Sequence, residues 1–282
     1  MNLASSDLAS AVERDVSAAL AEDVGTGDVS AMLLPDAKAA KAAVICRQEA
    51  VICGQAWFEA CFRRLDPAVT ISWQVAEGGR AAAASRVCEI RGSARALLTG
   101  ERTALNFLQT LSAVATLTRR YVDAVAGTRA KILDTRKTLP GLRFALKYAV
   151  RTGGGVNHRM GLYDAMLIKE NHIAAAGGIE PVLEAARRNA KAGVWIQIEV
   201  ENLSQLRKAL DAGATMILLD NMSPEQMCEA VRIAGDRAEL EASGGITLDN
   251  VRFIAETGVH RISIGGLTKD VKAVDFSMRF EG

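Results

Sequence analysis

From Lys131 onward, short apolar runs take turns with amphipathic stretches. The runs are AKILD, AMLIK, WIQIEVE, TMILLD, ELEAS and RISIG, and helical patterns such as IEPVLEAARRNAKAG, LSQLRKALDAG, SPEQMCEAVRIAG and TLDNVRFIAETG lie between most of them. A strand that is followed by a helix before the next strand pairs in parallel, through right-handed crossovers. Six such strands, with a seventh near GGGVNH, predict a closed or nearly closed β/α barrel; a doubly wound open sheet is the alternative.

The first part of the chain has another rhythm. Leu8, Val12, Val16 and Leu20 recur every four positions and predict an amphipathic helix from Ser5 to Leu20. The loop EDVGTGDVS follows, then two short strands flanking Arg47–Glu49, a helix in GQAWFEACFRRL, and strands in VTISWQV and RVCEIRG. This half reads as α+β with a small antiparallel sheet. A long helix follows from about 94 to 126, with Ser93 as N-cap and Gly127 as terminator.

Bulk properties exclude several function classes. The 282 residues carry a net charge of only +1, which argues against a general nucleic-acid or membrane-surface role. No apolar run is long enough to span a bilayer, and the polar start MNLASSDLASAVERDV lacks the pattern of a signal peptide. Cys46, Cys53, Cys61, Cys88 and Cys228 form no CxxC pair, as expected of reduced core thiols in a cytoplasmic protein.

Against this neutral background, the stretch Asp134–His172 gathers Arg136, Lys137, Arg143, Lys147, Arg151, Arg159, Lys169, His158 and His172 among Gly153, Gly154, Gly155 and Gly161. A local cationic, glycine-rich segment suits a small polyanion, because glycine lets backbone approach a ligand closely. The strand ends repeat the message. AKILD runs into Thr135, Arg136 and Lys137; AMLIK ends in Lys169; WIQIEVE carries Glu199 and Glu201; TMILLD ends in Asp220; ELEAS runs into Ser243, Gly244 and Gly245; RISIG ends in Gly265 before Gly266. In a β/α barrel the carboxyl ends of the strands form the active-site face. Glycine loops after the last two strands suit phosphate, aided by a helix N-terminus. Glu199 and Asp220 suit Mg²⁺ or a cationic transition state.

Plainer readings stand beside these. Arg143, Lys147 and Arg151 share helical spacing and read as mostly solvated. His260 reads as structural. His158 and His172 divide between structural and site roles, and Glu201 reads as a helix cap beside a functional Glu199.

The segments EDVGTGD, LLTGERTALNFLQTLSAVAT, DTRKTLPGLR, KYAVRTGGGVNHRMGLYDAMLIKENH, EVE, LLDN and EASGGI, in this order, resemble the quinolinate phosphoribosyltransferase family across nearly the whole chain. A molybdenum-associated paralogue shares the barrel, but the intact TRKTLPGLR and HRMGLYD are similar to the quinolinate enzymes. The resemblance implies an α/β fold: an N-terminal α+β sandwich domain over 1–112, an incomplete β/α barrel over 113–269, and a tail from about 270 to 282 that packs back on the first domain. It implies transfer of a phosphoribosyl group from 5-phosphoribosyl-1-pyrophosphate (PRPP) to quinolinate with decarboxylation, yielding nicotinate mononucleotide for NAD synthesis, with Mg²⁺.

By position, the resemblance implies that Arg136, His158 and Arg159 bind quinolinate, that Thr135 is substrate-binding, and that Lys137 and Lys169 lie between the two substrates. Glu199 and Asp220 face the ribose and metal. Ser243, Gly244, Gly245, Gly265 and Gly266 hold phosphate. Arg102 is donated from the neighbouring subunit of a homodimer or its multiple. Catalytic roles fall to Lys137, Lys169, Glu199 and Asp220. Arginine forks suit a dicarboxylate, since they bind carboxylates bidentately and stay charged. Two other classes remain open at this stage: a barrel aldolase or decarboxylase with Lys169 as Schiff-base amine, and a non-catalytic phosphosugar binder.

Overall fold

A computed structural model describes residues 5–35 and 38–281. Met1–Ala4, which open the polar N-terminal segment, and Gly282, which ends the tail, lie outside the described residues. In chain order the elements are α1 (Ser5–Val24), β1 (Ala39–Cys46), β2 (Ala50–Val51), α2 (Gln55–Leu65), β3 (Thr70–Trp73), β4 (Arg80–Ala81), β5 (Ser85–Ser93) and α3 (Ala94–Ala124). Then come β6 (Lys131–Leu133), α4 (Arg143–Thr152), β7 (Ala165–Ile168), α5 (Glu170–Ala175), α6 (Ile179–Asn189), β8 (Trp195–Val200) and α7 (Leu203–Asp211). The last are β9 (Met216–Asp220), α8 (Pro224–Ala234), β10 (Glu239–Ser243), α9 (Val251–Glu256), β11 (Arg261–Ser263), α10 (Gly266–Lys269) and β12 (Phe276–Glu281). The chain divides into two compact units, one of residues 1–119, 138–154 and 267–282, the other of 120–137 and 155–266.

The first unit is built on an antiparallel sheet ordered β12-β1-β5-β3. The strand β12 pairs with β1 from Lys41↔Glu281 to Cys46↔Phe276. The helix α2 buries Trp57, Phe58, Cys61 and Phe62, and Phe58 meets Trp73 of β3 edge-on at 5.3 Å between ring centres. Trp57 donates its indole N–H to the buried Asp15 of α1 at 3.0 Å, which satisfies both groups away from water. A Cβ on Gly100 would press within 2.9 Å of the Phe62 ring, so a glycine is what lets α3 approach α2. The helix α4 belongs to this unit: Tyr148 packs on Trp57 at 5.3 Å. Lys147 of α4 is completely buried, which corrects the solvated reading of that residue.

The second unit is built on a wholly parallel six-stranded sheet ordered β6-β11-β10-β9-β8-β7. The expected crossovers are present, and α8 starts on the reciprocal cap its sequence SPEQ encodes: Ser223 Oγ accepts from the Gln226 N–H while the Gln226 side chain accepts from the Ser223 N–H. The cylinder is not closed. Among the described residues no ladder joins β6 to β7, and the seventh strand sought near GGGVNH is a single parallel bridge, Leu133↔Val156. The helix following β6 is α4, which belongs to the first unit. The fold thus comprises an incomplete β/α barrel and an antiparallel α+β unit. Among the described residues no helix is long and apolar enough to cross a membrane.

Candidate functional site

Register sorts the parallel sheet into two chemically distinct faces. Residues paired across parallel strands share a face, and successive residues alternate. One face carries Ile132, Ile168, Ile198, Val200, Ile217, Leu219, Leu240, Ala242 and Ile262, all buried. The crossover helices, with their apolar stripes, pack on that side. The other face carries Gln197, Glu199, Asp220, Glu241, Ser243 and Ser263 among Leu133, Leu167 and Leu218. Acids and amides inside apolar strands are costly unless they serve something. Their common face makes this the functional side of the sheet.

The loop leaving β6 is latched down first. Asp134 is fully buried; its Oδ1 accepts the His158 N–H at 2.8 Å and its Oδ2 accepts from Asn157 Nδ2 at 2.6 Å. Val156 donates its N–H to Ile132 O at 2.8 Å. These bonds bring the segment after Gly155 onto the end of β6 and set Arg136 and Arg159 at one cavity of about 520 Å³. Lys169 and His172 also line it, and it straddles the edge strand β7: Leu167 contributes from the polar face, Met166 with Val182 and Ala186 of α6 from the helix-covered face. Burial, reinforced by the Arg136 guanidinium, pushes Arg159 below the usual arginine range, with Asp164 opposing the shift. Two guanidiniums beside an apolar wall are suited to an anion with a flat apolar body. The rim turns tightly: Asp164 accepts the N–H groups of Met160 and Gly161 at 2.7 and 2.9 Å, and a Cβ on Gly161 would overlap the Tyr163 ring.

Beyond the cavity, Lys169 Nζ donates to Glu199 Oε2 at 2.9 Å, across the β7–β8 ladder. Lys169 N–H donates to His172 Nδ1 at 3.0 Å, which fixes the start of α5. At the end of β9, Asp220 Oδ2 accepts from Asn221 Nδ2 at 2.9 Å; Asn221 itself sits at φ 54° and donates its N–H to Ser243 O at 2.9 Å. The β10 loop follows, with Gly244 at φ +100° and Gly245 at φ +61°. A Cβ on Gly244 would overlap Asn221 Oδ1, whereas Gly245 faces open space. The Asn250 side chain closes this loop by accepting from Thr247 N–H at 2.8 Å and donating to Gly245 O at 3.0 Å. Lys137 lies across Gly265, with its Cδ 3.1 Å from where a Cβ would stand, and Thr135 Oγ1 accepts the Lys137 N–H at 3.0 Å.

Thr135, Arg136, Lys137, Lys169, Glu199, Asp220, Ser243, Gly244, Gly245, Gly265 and Gly266 therefore all follow or end strands at the carboxyl edge of one sheet, whereas Arg159 lies in the loop before β7 and donates from Nη1 to Ala165 O, the first residue of that strand, at 3.2 Å. Arg102 and Arg143 belong to the first unit, on α3 and α4, as does the exposed Arg151. His158 lies deeper than the cavity lining. Its Nδ1 accepts the Arg159 N–H at 2.8 Å, and its Nε2 faces Gln197 Oε1 at 3.0 Å. His260 accepts the Leu240 N–H at 3.1 Å, a structural use. The cap of α7 is Asn202, whose side chain accepts from Gln205 N–H at 2.9 Å, so the cap reading of Glu201 is corrected. Sequence reasoning missed Gln197 and Glu241. Their signal was a polar residue at the middle of a short apolar strand, two positions before the residue already singled out.

An open barrel with cations, two acids and glycine turns at the carboxyl edge of its strands defines a class: a β/α enzyme shaped to hold small polyanions. Comparison with known proteins gives the member of that class. Residues 28–112 match the N-terminal domain model of quinolinate phosphoribosyl transferase, and residues 114–279 match its C-terminal domain model. A Bacillus subtilis protein named probable nicotinate-nucleotide pyrophosphorylase (carboxylating) is 42% identical over 257 residues, which cover 91% of this chain and 89% of the relative. Quinolinate phosphoribosyltransferase (decarboxylating) 1 of Nicotiana glauca is 36% identical, over 93% of this chain and 80% of the relative. The solved nicotinate-nucleotide pyrophosphorylase of Francisella tularensis superposes with a TM-score of 0.93 at 44% identity, covering 96% of each chain. The chain belongs to the quinolinate phosphoribosyltransferase family.

Proposed function

We infer that this chain transfers the phosphoribosyl group of PRPP to quinolinate and releases carbon dioxide, giving nicotinate mononucleotide and pyrophosphate in NAD biosynthesis. Family membership over both matched segments carries the reading. The cavity supports it, because Arg136 and Arg159 offer two forks to a dicarboxylate and the Met166 and Val182 side offers wall to a pyridine ring.

The chemistry asks mainly for placement and charge. The pyridine nitrogen attacks the anomeric carbon as the bond to pyrophosphate breaks, and the electron pair leaves with pyrophosphate. Positive charge grows on the ribose; Glu199 and Asp220 are proposed to face it, with Lys169 held by Glu199 between the substrates. Ser243–Gly245, Gly265 and Gly266 are proposed to offer backbone N–H groups to phosphate oxygens, with Lys137 lying over Gly265. Once the nitrogen is quaternary, it draws the electron pair of the neighbouring carbon–carboxylate bond. Carbon dioxide leaves and the ring carbon takes up a proton. No step needs an activated nucleophile. An ammonium held by Glu199 at 2.9 Å suits charge neutralisation, whereas a Schiff-base amine must be neutral to attack.

Glu199 and Asp220 are two hard carboxylates on adjacent strands, and among the described residues no three His, Cys, Asp or Glu gather in a cage. That donor set fits Mg²⁺, which keeps waters and phosphate oxygens as ligands. When bound, the ion would neutralise pyrophosphate as it departs. We further propose a homodimer or its multiple that receives Arg102 from the neighbouring copy, and work in the cytoplasm, away from nucleic acid and membranes. The near-zero net charge and five unpaired cysteines support the latter points.

Incubation with quinolinate, PRPP and Mg²⁺ should release carbon dioxide and nicotinate mononucleotide in equal amounts. Turnover of nicotinate in place of quinolinate, with none of quinolinate, would refute the assignment.

A further inference from the structure

A buried chain of polar groups, which the reaction does not use, leads from the middle of the sheet to the backbone of the cavity-lining Arg159. Glu241 is 0% exposed, in the middle of β10, on the functional face. Its Oε2 accepts from Gln197 Nε2 at 3.1 Å. Gln197, 1% exposed in the middle of β8, turns its Oε1 to His158 Nε2 at 3.0 Å. His158 Nδ1 accepts the backbone N–H of Arg159 at 2.8 Å. Each link lies inside the second unit and joins a different strand or loop.

The chain has a direction, and Glu241 sets it. A carboxylate offers only acceptors, so Gln197 must turn its NH₂ downward. Its carbonyl oxygen then points up and requires a proton on His158 Nε2. A neutral imidazole protonated there leaves Nδ1 as an acceptor, which is what the Arg159 N–H needs. A carboxylate three groups away thus selects the tautomer that pins the backbone of a substrate-binding arginine.

Stability alone does not explain the arrangement. Glu241 Oε1 is buried without a hydrogen-bond partner and stands 3.7 Å from His158 Nε2. An orphaned carboxylate oxygen in an apolar strand costs free energy that leucine would not.

We propose that Glu241, Gln197 and His158 are positioning residues for Arg159: the Nε2–H tautomer of His158 pins the Arg159 backbone, from which the side chain reaches the quinolinate pocket and donates from Nη1 to Ala165 O at 3.2 Å. His158 thereby acts through Arg159. The proposal rests on the functional reading above, but one arm of its test does not. In ¹⁵N-histidine-labelled wild-type protein, above the pH range of imidazole titration, ring shifts should show His158 protonated at Nε2 and not at Nδ1, with the resonance assigned by its absence from H158N. In the second arm, Gln197→Leu/Glu241→Leu should raise the KM for quinolinate roughly tenfold, the scale of one lost hydrogen bond. The KM for PRPP should stay within about twofold, well below one hydrogen bond's worth.

A proton on Nδ1 in the wild type would overturn the proposal whether or not the enzyme turns over quinolinate. So would an unchanged quinolinate KM in the double variant, or an equal rise for both substrates, which marks general damage. If the double variant fails to fold, the wild-type spectrum decides. Wild-type protein inert toward quinolinate, yet showing the Nε2–H form, would sink the functional reading and leave the buried relay standing.

Discussion

Arg136→Ala separates a binding role for the paired guanidiniums from a merely structural one. Arg136 and Arg159 share a cavity, and the Arg136 guanidinium disfavours the charge on Arg159. A carboxylate between them offsets this repulsion, so the pair is more comfortable with ligand than without. Truncating one partner of a desolvated, hydrogen-bonded charge pair costs about 2–5 kcal/mol, or about 30-fold to several thousand-fold in affinity. Arg136 is only half-buried, which places the expected loss in kcat/KM for quinolinate near the lower end, about 30- to 300-fold. The empty protein should behave oppositely. Arg159 is relieved of a like charge, so the unliganded fold should hold its stability or gain up to about 1 kcal/mol. Initial rates with quinolinate varied at saturating PRPP, together with thermal unfolding in the absence of both, measure the two effects. An unchanged quinolinate KM, or a lowered melting temperature with both substrates equally weakened, would refute the reasoning.

Four further outcomes follow from the geometry. Lys169→Met removes the partner of Glu199 and should cut kcat/KM about 100-fold while changing stability by no more than about 1 kcal/mol, read from steady-state rates and urea unfolding. Gly244→Ala should cost about 1–3 kcal/mol, because its φ of +100° and the overlap with Asn221 act together, while Gly245→Ala faces open space and should cost less; the two urea midpoints decide. Arg102→Ala mixed with the Arg136→Ala protein should recover activity on subunit exchange if Arg102 serves a neighbour's site, and no recovery despite proven exchange would place it in its own. Burial pushes the Cys61 thiol from 9.0 up to about 12. Below pH 9 that thiol is neutral folded and unfolded, so it adds no pH dependence; above it the unfolded chain ionises first, and stability falls by up to about 1.4 kcal/mol per pH unit toward 12. Cys61→Ala should flatten this alkaline loss in denaturation curves.

Much of the second unit was legible because crossover strands advertise themselves twice, by apolar runs and by polar residues where they end. TMILLD and ELEAS show both signals, and their register places Ser243 opposite Asp220. The residues missed lie where the two signals conflict. Glu241 and Gln197 sit inside strands, and a run such as ELEAS, whose two acids share one face, does not announce whether that face is the covered one until partners set the register. Lys147 misled for a related reason. Its spacing from Arg143 and Arg151 suggests a solvated stripe, yet Ala145, Leu146, Ala149 and Val150 around it are buried too, so α4 has almost no free side in that turn. The short helix α5 went unread because its six residues carry no full amphipathic period. The resemblance implied an incomplete barrel, whereas the strand rhythm alone left closed and nearly closed forms open, because sequence order shows that a helix follows β6 but not which unit receives it.

The pairing of β12 with β1 joins residues 230 to 240 positions apart, from Lys41↔Glu281 to Cys46↔Phe276. During synthesis the ribosome must deliver every strand of the parallel sheet before the antiparallel one can gain its last member. Until then β1 presents an unpaired edge, open to association with other nascent chains. The parallel sheet, whose strands all lie between those partners, has the opportunity to mature first, and a chaperone that shields the early segment would act in that interval.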